Sequence, residues 1–284
     1  MDKRQTKTVI RIGDHFPVLD KGFVCVIDVL GSDERVAQAA RVSYSKGTKQ
    51  VRDDAHLIDY LMRHGHTSPF EQCGLILHIK MPLFVARQWM RHRTAKVNEI
   101  SARYSILPNE FYIPSKDVVA QQSSDNRQGR DAVPVDEKQA LRYIQHIKES
   151  YERTYQLYEK FIKENIAREL ARIVLPVAIY TECYWQMDLH NLFHFLLLRL
   201  DHHAQYEIRC YAHVVLRVIR AFFPVCTQAF MKHMKNAVKV SESERRVLAK
   251  LLEKDDLVLE MLSQKQLYEL REKLMQQEED FSSL

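Results

Sequence analysis

The sequence predicts an α+β fold, one large domain in which a mixed sheet packs against long helices. Three observations carry that prediction. Runs rich in β-branched and apolar residues at 23–30, 75–81 and 177–186 have the length and character of strands. Leu141, Ile144, Ile147, Tyr151, Tyr155, Tyr158 and Ile162 recur at mostly helical spacings along one long stretch. Only seven glycines and eight prolines interrupt 284 residues, of which 46% are hydrophobic, so the chain can bury a substantial core. The expected layout is an N-terminal extension over 1–20, the domain over 21–235, and a C-terminal helical extension over 236–284.

In chain order, 23–30 forms the first strand and Gly31 stops it. Ser32 can cap a helix whose apolar positions include Val36, Ala39 and Ala40. A second helix carries Leu57, Ile58, Leu61 and Met62, with Gly65 where a C-terminal cap is expected. From 75 to 81 the pattern alternates, with Leu75, Leu77, Ile79 and Met81 on one face and Ile76, His78 and Lys80 on the other. That is a half-buried strand. Pro82 breaks it, and a helix through Val85, Ala86, Trp89 and Met90 leads into a cluster of arginines. Residues 115–135 are polar and read as a mobile loop. The long helix follows, then a short one over 167–175 that ends at Pro176. After the strand at 177–186, Asp188 can cap a helix to about Arg199. A last helix runs from His203 to Phe223, before Pro224.

Composition excludes several function classes. No GxGxxG or GxxxxGK[ST] fingerprint is present. Cys25, Cys73, Cys183, Cys210 and Cys226 are odd in number and lack a CxxC pair, so they read as buried thiols in a reducing compartment. The N-terminus has no apolar core of signal-peptide length and no stretch approaches membrane-span length. The expectation is therefore a soluble cytoplasmic protein without membrane partners.

The most informative stretch is 87–104. Arg87, Arg91, Arg93, Lys96 and Arg103 face one acid, Glu99, in a chain whose formal net charge is +5. Arginine forks bind phosphate bidentately, so such a cluster suits a nucleotide or a dinucleotide pyrophosphate. On the helix before it, Gln88 and Arg91 are three apart and Arg87 and Arg91 four apart, so all three can reach one ligand. If 98–104 is extended, Glu99, Ser101 and Arg103 share a side, where an acceptor, a hydroxyl and a cation could hold a polar heterocycle and its phosphate. The basic excess sits in one ligand-sized cluster and no RNP or zinc-finger pattern appears, so no nucleic-acid partner is expected.

Arg91-His92-Arg93, followed seven residues on by Ser101, resembles the signature of the flavin-dependent thymidylate synthases, RHRxxSxNExSxRY. Asn98, Glu99, Arg103 and Tyr104 fall in register, while Lys96 stands where the longer pattern has its first serine. His64-Gly65-His66-Thr67-Ser68-Pro69-Phe70-Glu71 is similar to the family's HGHxTPFEH segment, with Gln72 in place of a histidine. Arg199, His203 and Gln205 match the family's LRxxxHAQxEI helix, and Arg172 matches its phosphate-binding arginine. The resemblance spans roughly residues 20 to 235.

The resemblance implies reductive methylation of dUMP to dTMP. FAD is the cofactor, methylenetetrahydrofolate the carbon donor and NADPH the reductant, in a homotetramer. It assigns dUMP to Gln88, Arg91, Glu99, Ser101, Arg103, Arg172 and Arg199, with Ser101 and Arg199 nearest the chemistry. It assigns FAD to Ser43, His66, Ser68, Glu71, Arg91, His92, Arg93, Thr94, Asn98, Glu99, Asp188, His190, His194 and His203. The other type of thymidylate synthase attacks uracil C6 with a cysteine thiolate, which needs an electropositive setting. No cysteine lies in the arginine stretch.

Some readings stay open at this level. Ser101 is either a nucleophile or a hydrogen-bonding group beside the nucleotide. Lys96 either adds to an anion site or points to solvent. His190 and His194 have the i, i+4 spacing of a zinc site or form a polar stripe. A binding module without chemistry would share the same charges and lack the flavin. In 241–284, Ser241 with Glu244 and Ser263 with Gln266 read as capping boxes of two leucine-striped helices. Seven basic against eleven acidic residues there suit either a lid over the arginine site or a packed helical pair.

Overall fold

The computed structural model describes residues 9–42, 53–124 and 127–252, and divides the chain into two compact units, 1–235 and 236–284. In the first unit five strands form one sheet: β1 (His15–Val18), β2 (Gly22–Leu30), β3 (Gly74–Pro82), β4 (Lys96–Glu99) and β7 (Tyr180–Asp188). Their order is β1-β2-β3-β7-β4. The α+β class holds, and the sheet is antiparallel at every pairing where a mixed one was expected. Between β2 and β3 the chain runs through α1 (Asp33–Arg41) and α2 (Asp54–Arg63), and Leu30 ends up opposite Gly74. The excursion returns the chain to the edge it left, so β3 sets off against β2. β1 itself lies inside the segment read as an N-terminal extension.

The alternation at 75–81 does what its period dictates. Leu75, Leu77, Ile79 and Met81 are buried beside Val24, Val26, Trp185 and Met187 of the flanking strands. Helices α3 (Leu83–Trp89), α6 (Leu189–Arg199), α7 (Tyr206–Phe222) and α8 (Pro224–Phe230) contribute the other side of this core. Trp89 is its hub, with ring centroids 5.2 Å from Trp185, 4.5 Å from Phe195 and 6.0 Å from Tyr211. The buried carboxylate of Asp33 accepts from the Val225 and Cys226 N–H groups at 2.8 and 2.9 Å, tying the start of α1 to the first turn of α8.

A smaller core lies under the long helix, α4 (Glu137–Lys163). There Tyr155 and Tyr158 pack with Leu107, Phe111 and Ile179. The Tyr155 hydroxyl donates to the Leu107 carbonyl at 2.9 Å and the Tyr158 hydroxyl accepts from the Leu107 N–H at 3.3 Å, so one residue is held on both sides. A short helix, α5 (Arg168–Ala171), continues as a 3-10 turn over Arg172–Val174 and so presents Arg172.

Four local expectations change. Ser32 occupies the N-cap of α1, but its hydroxyl donates to Glu34 at 2.5 Å and leaves the helix N–H groups alone. Residues 98–104 are extended only to Ile100. The Ser101 carbonyl then accepts from the N–H groups of Tyr104 and Ser105, and the resulting turn breaks the shared face of Glu99, Ser101 and Arg103. The polar stretch 115–135 contains a hairpin, β5 (Ala120–Gln122) with β6 (Arg130–Pro134). The last long helix starts at Tyr206, three residues later than read, because Asp201 accepts from the His203 N–H at 2.8 Å and folds 201–203 into a turn. Gly65 does close α2, at φ +69.

In the second unit, α9 (Glu242–Leu252) begins with the capping box read from the sequence. Glu244 accepts from the Ser241 N–H at 2.8 Å while its own N–H reaches the Ser241 hydroxyl at 3.5 Å. The second box, Ser263 with Gln266, and the candidate Ser43 lie outside the described residues.

Candidate active site

The arginine stretch begins where α3 runs out. Trp89 is pulled into the core, and the chain turns through 90–93, so alternate residues face opposite ways. Arg91 and Arg93 are exposed, and their guanidiniums make no ion pair among the described residues. His92 goes inward and is 8% exposed. Its ring sits 4.9 Å from Phe195 and 6.2 Å from His194. The Arg199 guanidinium, at the end of α6, donates to His92 Nε2 at 3.0 Å and to the Gln88 carbonyl at 3.3 Å. Gln88 in turn donates its side-chain amide to Gln205. Residues from three segments thus fix the half-buried Arg199 in place.

Because Arg199 donates to Nε2, that nitrogen must be unprotonated and the His92 proton must sit on Nδ1. Burial, and then the neighbouring Arg199 guanidinium and His194 ring, hold the His92 pKa down at about 4. A folded pKa below the unfolded value means the neutral form is favoured by folding. The associated stability is complete above the unfolded value near 6.5 and is lost as pH falls towards 4. At pH 7, nitrogen-detected NMR should show His92 as the Nδ1–H tautomer, with no titration above pH 5. A titration near 6.5 would contradict the buried Arg199–His92 contact.

After the turn, β4 pairs antiparallel with β7 as an edge strand, which sets Glu99 opposite Cys183 and Asn98 opposite Tyr184. The Glu99 carboxylate accepts from the buried Thr181 hydroxyl at 2.6 Å. Glu99 and Arg172 line one cleft of about 380 Å³, with Ile100, Ala102 and Ile173 among its apolar walls. Ser101 is half-buried, and its hydroxyl accepts from the Arg103 N–H at 3.3 Å. Arg103 pairs with Glu169 at 3.3 Å, both exposed, so a stronger anion can displace that acid.

The remaining candidates line other surfaces. Glu71, Thr94 and Asp188 line a second cleft, of about 340 Å³, with Lys96 and Gln186. Asp188 is committed to capping α6, accepting from the Asn191 N–H at 2.9 Å. Lys96, exposed on β4, lines the cleft that also contains Asp28, Glu71 and Asp188. His66 and Ser68 line a third cleft, of about 720 Å³, beside Tyr60, whose ring stacks on His66 at 6.1 Å. His203 is exposed and bonded through Nδ1 to Asp201 at 2.9 Å. His190 is half-buried and His194 exposed. Among the described residues the grouping with metal-type reach is Asp201, His202 and His203, and it contains neither His190 nor His194.

No thiol is poised for attack. Burial raises the pKa of all five cysteines. Cys183, opposite Glu99 on β7, is pushed up to about 12, first by burial and then by the Glu99 charge.

The family model for thymidylate synthase complementing protein matches residues 25–225. The chain is 54% identical over 239 residues to the flavin-dependent thymidylate synthase of Treponema denticola, covering 84% of this chain and 89% of that protein. It is 46% identical over 265 residues to that of Wolbachia pipientis wMel, covering 92% and 93%. The chain belongs to the flavin-dependent thymidylate synthase family. Among solved structures, the UMP/dUMP methylase PolB from Streptomyces cacaoi bound with 5-Br UMP superposes with a TM-score of 0.69 at 31% identity. The match covers 78% of this chain and 98% of that one.

Family membership makes Thr181, Cys183 and Gln205 informative. Thr181 orients Glu99 from a neighbouring strand, and no local pattern in 177–186 distinguishes it. Gln205 lies in the family's helix motif, but its contact with Gln88, 117 residues away, is visible only in the fold.

Proposed function

We propose that the chain converts dUMP to dTMP, taking the carbon from methylenetetrahydrofolate and the reducing power from NADPH through FAD, in the cytoplasm. The observation that carries this reading is the fixed Arg199 guanidinium, with Arg91 and Arg172 making no ion pair among the described residues and free for a phosphate, and with the pKa of all five cysteines raised by burial. Arg91, Arg103 and Arg172 hold the dUMP phosphate, while Gln88, Glu99, Ser101 and Arg199 hold the base. Thr181 keeps Glu99 turned so that a carboxylate oxygen can accept from the uracil N3–H. Arg199 donates to a uracil carbonyl, where negative charge develops as C5 gains nucleophilic character.

The chemistry of the donor set suits FAD, with exposed cations for its pyrophosphate and hydroxyl and imidazole groups for its polar edges. Arg91, Arg93, Thr94, Asn98, Glu99, His92, His66, Ser68, Glu71, Asp188, His190, His194, His203 and Ser43 are the residues that would hold it. When bound, FAD supplies the hydride that reduces the transferred one-carbon unit to a methyl group. Because His66, Glu71 and Glu99 line different clefts, a single chain offers the cofactor separate surfaces. Exposed Ile100 and Ile173 line the Glu99 and Arg172 cleft, Val97, Tyr104, Ile106 and Leu170 are exposed close to them in sequence, and such apolar exposure marks an interface. Both features support a homotetramer whose neighbouring copies complete each site.

The test is an absorbance spectrum with light scattering on the purified protein. Flavin bands that bleach on NADPH addition, with a tetrameric mass, are expected, and a colourless monomer would overturn the reading. Ser101 serves as a hydrogen-bonding group in this scheme, since its hydroxyl is engaged with the Arg103 N–H and no base is bonded to it among the described residues. Ser101→Ala should retain measurable dTMP formation. Complete loss with intact dUMP and FAD binding would make Ser101 the nucleophile instead.

A further inference from the structure

The turn that carries the chain from α6 into α7 is fastened on both sides. Arg199, the last residue of α6, is held by His92 and by the Gln88 carbonyl. The Asp201 carbonyl accepts from the Ala204 N–H at 3.0 Å, and its carboxylate Oδ1 accepts from the His203 N–H at 2.8 Å. The two residues after Asp201 are both histidines, and their ring centroids lie 3.7 Å apart. Nδ1 of His203 is 2.9 Å from Asp201 Oδ1, and Nδ1 of His202 is 3.7 Å from it. One ligand atom from each of the three residues lies within 4.8 Å of the others. In a tetrahedral site with bonds of about 2.0–2.1 Å, neighbouring donors stand about 3.3–3.4 Å apart, so the two separations bracket that spacing. All three side chains reach solvent, which leaves an entry path and a fourth position open.

We infer that Asp201, His202 and His203 form a binding site for a divalent transition-metal ion of the zinc type. Two imidazoles and one carboxylate suit zinc, whereas magnesium takes oxygen donors and keeps its waters. The ion takes the place of the proton between His203 Nδ1 and Asp201, so both rings bind through Nδ1 and carry their proton on Nε2. The His203 backbone N–H stays on Asp201 Oδ1 and keeps the carboxylate oriented, as an outer-shell donor does. His190 and His194, four apart on α6, lie outside this grouping. In the proposed function His203 also meets FAD, so metal and flavin compete for its ring, a consequence that rests on that reading.

Titration calorimetry with zinc chloride on the full chain, first stripped of metal with a chelator, tests the site independently of turnover. One zinc ion per chain is expected, and magnesium chloride should give no binding. His202→Ser should weaken zinc at least about tenfold, since losing even an outer-shell partner costs about 10- to 100-fold. FAD binding by that variant should be unchanged. FAD present at about ten times its dissociation constant should weaken zinc about tenfold, as simple competition requires. No zinc binding by the parent, binding kept in His202→Ser, or binding lost in His190→Asn instead would overturn the site. Equal zinc affinity with and without bound FAD would overturn the competition at His203. Zinc bound by a protein that takes up no flavin would sink the flavin reading and leave the metal site standing.

Discussion

Replacing Arg172 with alanine is expected to weaken dUMP binding about 10- to 150-fold, the loss of one charge-assisted pair worth about 1.5–3 kcal/mol. Arg172 is exposed, its guanidinium has no ion pair among the described residues, and it lines the cleft that also holds Glu99. Nothing in the fold depends on its charge, so the thermal midpoint should stay where it is. Titration of FAD-loaded variant and parent with dUMP checks this. The difference should shrink at high salt, because an exposed cation is screened. Unchanged affinity would remove Arg172 from the phosphate site.

Trp89→Ala is the change expected to cost the most stability, about 3–5 kcal/mol, the range for emptying a fully buried aromatic position. Trp89 is 0% exposed and meets Trp185, Phe195 and Tyr211, so it fastens the C-terminal end of α3 to β7, α6 and α7 at once. Gln88 precedes it and His92 follows within one turn, so loosening it should also unseat Arg199. Urea unfolding measures the first effect and dUMP turnover the second. A variant as stable as the parent would contradict the hub role.

What the sequence made legible follows from the range of the forces involved. The strand at 75–81 was readable because a period of two reports burial directly, and α4 because its tyrosines keep helical spacing over many turns. Asp188 and Ser241 were readable because caps act across three residues. Sheet pairing was not, since antiparallel order depends on how α1 and α2 return the chain. The hairpin at 120–134 was hidden for a similar reason. Its strands are short and polar, and Arg130 is anchored by Glu207, 77 residues away.

The signature pointed to candidate residues for the site without telling which way they face. Arg91-His92-Arg93 reads as three ligands, yet the turn after Trp89 sends His92 inward against Phe195 and leaves the two arginines outside. The Ser101 turn likewise undoes an alternation that was sound up to Ile100.

In the proposed reaction dUMP is methylated without a cysteine nucleophile. The most direct measurement is dTMP formation from dUMP, methylenetetrahydrofolate and NADPH, assayed before and after thiol alkylation of the native protein. All five cysteines are buried or half-buried with raised pKa values, so alkylation should leave the rate unchanged. No dTMP from the untreated protein, or a rate that falls in step with the thiols modified, would contradict it.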